Sequence, residues 1–223
     1  MHRKKCVRYR LCKSTGAKQD FVPLFMPPNT DDIMPDYEMI CDYVKMQEIR
    51  KASKINICGL MRGYATMIKV LFICHGNICR SPMAEFILKK KVSDLGIADR
   101  FYIASAATST EEIWHGVGNP VYPPAKAELA KHGISCEGKR AVQLKASDYD
   151  DYDFLIGMDD MNIRNIERMT GHQGGKIRLL LSFCGRNESI TDPWYSSRFD
   201  DTYRNVDEGC DAFLEYLREN KLL

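Results

Sequence analysis

Four apolar runs separated by helix-forming stretches predict an α/β protein with a doubly wound, four-stranded parallel sheet and helices on both faces. Three observations carry that prediction. The runs Lys69–Cys74, Phe101–Ser105, Asp153–Met158 and Lys176–Phe183 are nearly continuous in apolar residues, as strands buried on both faces are. Helical stretches alternate with them, and three stop at a glycine: Pro82 to about Leu95 before Gly96, Pro123–His132 before Gly133, and Asp159–Thr170 before Gly171. The pattern starts only after Met67, so residues 1–66 read as a poorly structured extension and 67–223 as one domain.

The first strand leads into a polar loop and then into Ser81-Pro82, which suit an N-cap and a first helical position ahead of Met83–Lys90. The second strand precedes the Pro123 helix, and the third leads directly into the Asp159 helix. After the fourth, a loop carrying Asp192-Pro193-Trp194-Tyr195 precedes a last helix over Thr202–Glu219. In the extension, residues 1–33 mix charge clusters with Pro27-Pro28-Asn29 and read as loop or disorder. Tyr37, Ile40, Cys41 and Val44 follow helical spacing over 36–51.

Composition excludes several classes. The net charge of +2 argues for no nucleic-acid partner, although residues 1–66 hold 12 Lys/Arg against 7 Asp/Glu and residues 67–223 hold 20 against 23. No apolar run approaches the ~20 residues of a membrane span. The basic start (Arg3, Lys4, Lys5, Arg8, Arg10) lacks the apolar core of a secretory signal. Nine irregularly spaced cysteines read as thiols of a cytoplasmic protein, and a monomer is expected. Cys6, Cys12, Cys41 and Cys58 lack the CxxC pairs of structural zinc sites, so no metal is assigned.

The chemistry concentrates in Cys74-His75-Gly76-Asn77-Ile78-Cys79-Arg80-Ser81. A strand end, a short loop and a helix N-terminus together make an anion site, because free amides and the positive dipole end converge there. It also lies at the carboxyl edge of the sheet, where α/β proteins bind ligands. Only a thiolate attacks, and the helix end, Arg80 and the Ser81 hydroxyl all favour that form of Cys74. The forked guanidinium of Arg80 suits two phosphoryl oxygens at once. Gly76 and Asn77 tolerate the positive φ that a wrapped loop needs. Asp192 is the candidate acid for a leaving oxygen. Trp194 and Tyr195 are candidates to wall a slot for an aryl group, with Trp114 opposite. Gly171–Ile177 lacks the spacing of a nucleotide P-loop and reads as a turn.

The C-x-G-N-x-C-R-S run together with Asp192-Pro193-Trp194-Tyr195 resembles the low-molecular-weight protein tyrosine phosphatase family over residues 67–223. The resemblance implies a flavodoxin-like fold, no cofactor, phosphotyrosine-containing protein substrates and a two-step reaction. Cys74 attacks phosphorus, Arg80 and the amides of the His75–Ser81 loop hold the oxygens, and Asp192 protonates the phenol and then activates water. It also implies that Asn77, Ser81 and Ser105, placed after strand two, hold the loop shape. Asp159 braces the loop or caps its helix. Cys79 is a redox partner that pairs with Cys74 on oxidation. The chain departs from the family pattern at Gly138-Lys139, where a histidine is usual, at Tyr122-Pro123-Pro124, where an Asp-Pro-Arg run is common, and at Trp194, which replaces a tyrosine.

Three other readings remain. Protein arginine phosphatases resemble this chain but tend to carry Thr where Ile78 stands. Thioredoxin-coupled arsenate reductases need further cysteines in a mobile segment, and residues 146–153 have none. A non-catalytic phosphate-binding scaffold predicts loss of Cys74, Arg80 or Asp192, and all three are present.

Overall fold

The computed structural model describes residues 67–223 and, ahead of them, one pair of two-residue strands. The chain divides into two units, Met1–Arg62 and Gly63–Leu223. In the first, Cys6–Val7 and Leu24–Phe25 pair antiparallel, where the sequence predicts only loop. The helix expected over 36–51 and Cys12, Cys41 and Cys58 lie outside the described residues.

The second unit runs β1 (Ile68–Cys74), α1 (Arg80–Asp94), β2 (Phe101–Ala107), the small hairpin β3 (Ile113–Trp114) and β4 (Val117–Gly118), α2 (Pro123–Lys131), the short α3 (Asp148–Asp151), β5 (Phe154–Gly157), α4 (Asp160–Thr170), β6 (Ile177–Leu179), the short α5 (Pro193–Ser196) and α6 (Phe199–Glu219). The main sheet is parallel throughout, in the order β2-β1-β5-β6. β1 is central. It pairs with β2 from Ile68↔Phe101 to Cys74↔Ala107 and with β5 from Val70↔Phe154 to Ile73↔Gly157.

Alternation along β1 divides the core in two. Val70, Phe72 and Cys74 face a large cluster containing Met83 and Leu88 of α1 and Phe213 and Leu217 of α6. Leu71 and Ile73 face a smaller cluster with Leu144, Leu155 and Ile166 of α4. Each fully buried Phe, Leu or Ile contributes about 1.5–3 kcal/mol. The two-sided burial explains why the strand reads as an unbroken apolar run. It also fixes Cys74 as the last residue of a strand held on both edges.

Three of the differences from expectation bear on the core or the site. The fourth strand stops at Leu179, and Leu180–Cys184 form a 3-10 turn. A strand would point Leu180 and Leu181 to opposite faces, whereas the turn buries both in the large cluster, and Ser182 Oγ caps it on the Leu179 carbonyl at 2.7 Å. The first helix starts at Arg80, with Cys79 at its N-cap, so Ser81 is not the cap. Ser105 lies inside β2, opposite Phe72, rather than after it. Among the described residues no helix is long and apolar enough to cross a membrane.

Candidate active site

The loop between β1 and α1 is built around Asn77. Its backbone sits in the left-handed region (φ 57°), which an asparagine tolerates when its side chain is tied down. Here Nδ2 donates to Ser81 Oγ and to Ser105 Oγ, both at 2.8 Å, and Oδ1 accepts from the Val142 N–H at 3.0 Å. Gly76 does not share the positive φ. A Cβ there would lie 3.0 Å from Glu112 Cγ, so a larger residue would need the Glu112 side chain to give way. The Asn77 N–H turns back to donate to Cys74 Sγ at 3.3 Å.

Behind the loop lies a buried charge pair. Glu85 of α1 and Lys139 meet at 2.9 Å, and Lys139 Nζ also donates to the Ser105 carbonyl at 3.1 Å. Burial raises the Glu85 carboxyl, but Lys139, Lys89 and the Ser105 hydroxyl together outweigh it and hold the group below its ordinary value. An ionised carboxylate only accepts, so Ser105 Oγ donates to it at 2.5 Å. Ser105 must then accept from Asn77. Ser81 accepts from the same amide, which leaves the Ser81 proton for Cys74 Sγ at 3.0 Å rather than for the Ala106 carbonyl at 3.5 Å. The charge on Glu85 thus sets the direction of the Ser105 bond, while the Asn77 amide, oriented by the Val142 N–H on its Oδ1, sets the bonds to Ser105 and Ser81.

Arg80 is buried and held from two sides. Nη1 donates to Asp159 Oδ2 at 2.5 Å and to the Ile190 carbonyl at 3.1 Å, and Nη2 donates to Asp192 Oδ2 at 2.5 Å. Burial opposes its charge, but Cys74, Asp192 and Asp159 prevail and push its pKa up. Asp159 also caps α4, accepting from the Asn162 N–H at 2.6 Å, so it braces Arg80 and starts a helix together. Asp192 caps α5, accepting from the Trp194 N–H at 3.0 Å. Cys79 is buried, and burial first, then Cys74 and Asp192, drive its thiol well above the ordinary value.

These groups open on a cavity of about 160 Å³. Cys74, His75, Gly76, Ile78, Cys79 and Arg80 line it from the loop, Asp192, Trp194 and Tyr195 from the α5 loop, and Glu111 and Glu112 from the segment before β3. By helix geometry the first-turn amides of α1 have no partner within the helix, and no acidic side chain occupies that turn. A cavity with a thiol, a buried guanidinium, a helix N-terminus and a tethered carboxylate is fitted to hold an oxyanion and to exchange a group on it.

Comparison with known proteins agrees with this geometry. Residues 69–222 match the family model described as low molecular weight phosphotyrosine protein phosphatase. The chain belongs to that family. The low molecular weight protein-tyrosine-phosphatase YfkJ of Bacillus subtilis (strain 168) is 34% identical over 160 residues, covering 70% of this chain and all of the relative. The crystal structure of YfkJ superposes with a TM-score of 0.66 at 33% identity, over 71% of this chain and 99% of that one. The low molecular weight protein tyrosine phosphatase SP-PTP of Streptococcus pyogenes gives 0.59 at 39% identity, over 68% and 93%. A drosophila arginine phosphatase gives 0.60 at 33% identity, over 67% and 97%.

Within this phosphatase domain most of the expected residues converge, with three exceptions. Trp114 does not line the cavity. It sits on the β3–β4 hairpin, 68% exposed, and Glu111 and Glu112 reach the cavity from just before it. The side chains of Asn77 and Ser81 are fully buried beneath the loop and turned to one another. Trp194 does stand at the mouth, where it leans on Tyr122 with ring centroids 4.9 Å apart. Sequence reasoning missed Glu85, Glu111 and Glu112. It marked Lys139 only as a departure from the family pattern, which was the one available signal of the pair beneath the loop.

The hairpin that carries Trp114 is rooted next to the site. Asn119 Nδ2 donates to Glu112 Oε2 at 2.7 Å, and a Cβ on Gly118 would lie 1.9 Å from the Ala141 carbonyl oxygen, so backbone meets backbone at its base. Among the described residues no three of His, Cys, Asp and Glu are grouped to hold a metal ion.

Proposed function

We propose that the protein hydrolyses phosphotyrosine and other aryl phosphate monoesters through a cysteinyl-phosphate on Cys74. The observation that carries this reading is the convergence of the Cys74 thiol, the Arg80 guanidinium and the Asp192 carboxylate on one small cavity at the head of α1. The substrate dianion takes the place of Asp192 on Nη2 of Arg80. Displaced from the guanidinium, Asp192 stands beside the leaving oxygen as its acid. Cys74 thiolate then forms the S–P bond as the P–O bond to the phenol breaks, and Asp192 gives its proton to the departing oxygen. In the second step Asp192 removes a proton from water, the water oxygen attacks phosphorus, and the thiolate leaves as phosphate is released. The transition state is loose, so most of the acceleration comes from positioning and from the guanidinium and amides around the equatorial oxygens.

Cys79, buried beside the loop, serves as the disulfide partner of an oxidised Cys74 in this reading. A thiolate nucleophile persists in a reducing compartment, which supports a cytoplasmic location. Residues 67–223 form the catalytic domain, and residues 1–66 are dispensable to it.

The test is steady-state hydrolysis of p-nitrophenyl phosphate and a phosphotyrosine peptide, with rapid quench to trap phosphoprotein. Cys74→Ser abolishes turnover and the trapped intermediate. Asp192→Ala slows release of the phenol most for poor leaving groups. Full activity in Cys74→Ser would overturn the mechanism.

A second reading is hydrolysis of phosphoarginine. It is favoured by Glu111 and Glu112 in the cavity wall, which suit a guanidinium, and by the likeness to the drosophila arginine phosphatase. A phosphoarginine peptide in the same assay separates the two.

A further inference from the structure

The cavity that receives a phosphate dianion is rimmed by carboxylates. Glu111 and Glu112 both line it, and Asp192 is a third. Its one guanidinium, Arg80, already serves Asp159 and Asp192. Glu112 accepts a 2.7 Å hydrogen bond from Asn119 Nδ2. Glu111 is solvent-exposed and reaches His75 Nε2 at 2.9 Å, from the residue next to the nucleophile. Two adjacent carboxylates in the wall repel a dianion and lower its affinity. They cease to do so when the substrate brings its own cation to sit between them.

We propose that Glu111 and Glu112 set the substrate class, selecting phosphotyrosine that has a lysine or arginine beside it and rejecting phosphotyrosine in an acidic context. The inference rests on the tyrosine phosphatase reading above. The two carboxylates act as a specificity rim: they recognise the neighbouring side chain of the peptide and leave the phosphorus chemistry to Cys74, Arg80 and Asp192. Opposite charges at an exposed rim act on encounter and register more than on tight binding, so the preference appears in kcat/KM and weakens with salt.

The experiment compares the full chain on phosphotyrosine peptides carrying Lys, Ala or Glu on either side of the phosphotyrosine, with p-nitrophenyl phosphate and a phosphoarginine peptide alongside. The expected order of kcat/KM is Lys above Ala above Glu, with Lys over Glu by about fivefold or more at low salt. Raising salt from about 0.05 M to about 0.5 M compresses that ratio. In Glu111→Gln/Glu112→Gln the ratio falls close to one while KM for p-nitrophenyl phosphate decreases, which also shows that the variant folds. A ratio near one in the parent, or one unchanged in the double variant, overturns the proposal and leaves the tyrosine phosphatase reading standing. Absence of turnover on every aryl phosphate sinks that reading instead. Phosphoarginine turnover that exceeds all phosphotyrosine peptides and is lost in the double variant also overturns the proposal, because the carboxylates then hold the guanidinium of the substrate itself.

Discussion

The floor and the rim of the cavity are built on opposite principles. The floor is a chain of buried, mutually satisfied polar groups running from Lys139 and Glu85 through Ser105, Asn77 and Ser81 to Cys74. Each member limits what the next can donate or accept, so the loop has one arrangement. The rim is solvated: Tyr195 is 87% exposed and Trp194 53%. Its side chains can change without leaving a buried group unpaired. Reaction and substrate choice are therefore separable here. The first is held by a network that tolerates little, the second by residues that cost little to replace.

Arg80→Lys tests the floor hardest. An ammonium cannot hold two phosphoryl oxygens together with Asp159, and kcat is expected to fall about a hundredfold or more. A smaller loss in steady-state assays would show that the planar fork matters less than its charge.

Glu85→Gln comes next. It strands Lys139 in a site where the lysine is 11% exposed, and breaking a buried pair costs about 3–5 kcal/mol. Thermal unfolding should show a midpoint lower by about 6–20 °C. Because the folded-state carboxyl lies below its ordinary value of 4.5, its stabilising contribution is complete above that pH and is lost as pH falls through the lowered value. Acid titration of the parent should therefore show a loss of stability that the variant lacks. An acid titration alike in parent and variant would show that the Glu85–Lys139 pair does not stabilise the floor.

Tyr195→Ala sits at the small end. The side chain is almost wholly solvated, so stability should change by no more than about 0.5 kcal/mol. KM for aryl phosphates should rise about twofold to fivefold with kcat kept, as expected for an aromatic wall touched mainly by substrate. A large fall in kcat would move Tyr195 from the rim to the floor.

What could be read from the sequence follows the same division by range. The strand, loop and helix around Cys74 are local, and alternation together with the C-x-G-N-x-C-R-S run made them legible. Asp192 was legible because sheet topology delivers the loop after the fourth strand to the same edge. Glu85 was not, because in sequence it is one helix-forming residue among several. Only the fold brings Lys139 against it. The end of β6 was misread because Ile177–Phe183 is apolar whether it continues as strand or closes into a turn. Trp114 was chosen as the opposite wall because an aromatic suits an aryl site, and Glu111 and Glu112 were missed because nothing local marks them. The hairpin turns it away and leaves the carboxylates at the mouth.

That hairpin is anchored at its base, where Gly118 seats on Ala141 and Asn119 holds Glu112. Its tip, His115-Gly116, turns in left-handed backbone at the far end. Such an element is a graft point: a tip of different length or charge can be exchanged between its two anchored ends. New protein substrates can then be recruited to an old reaction without re-solving the packing beneath it.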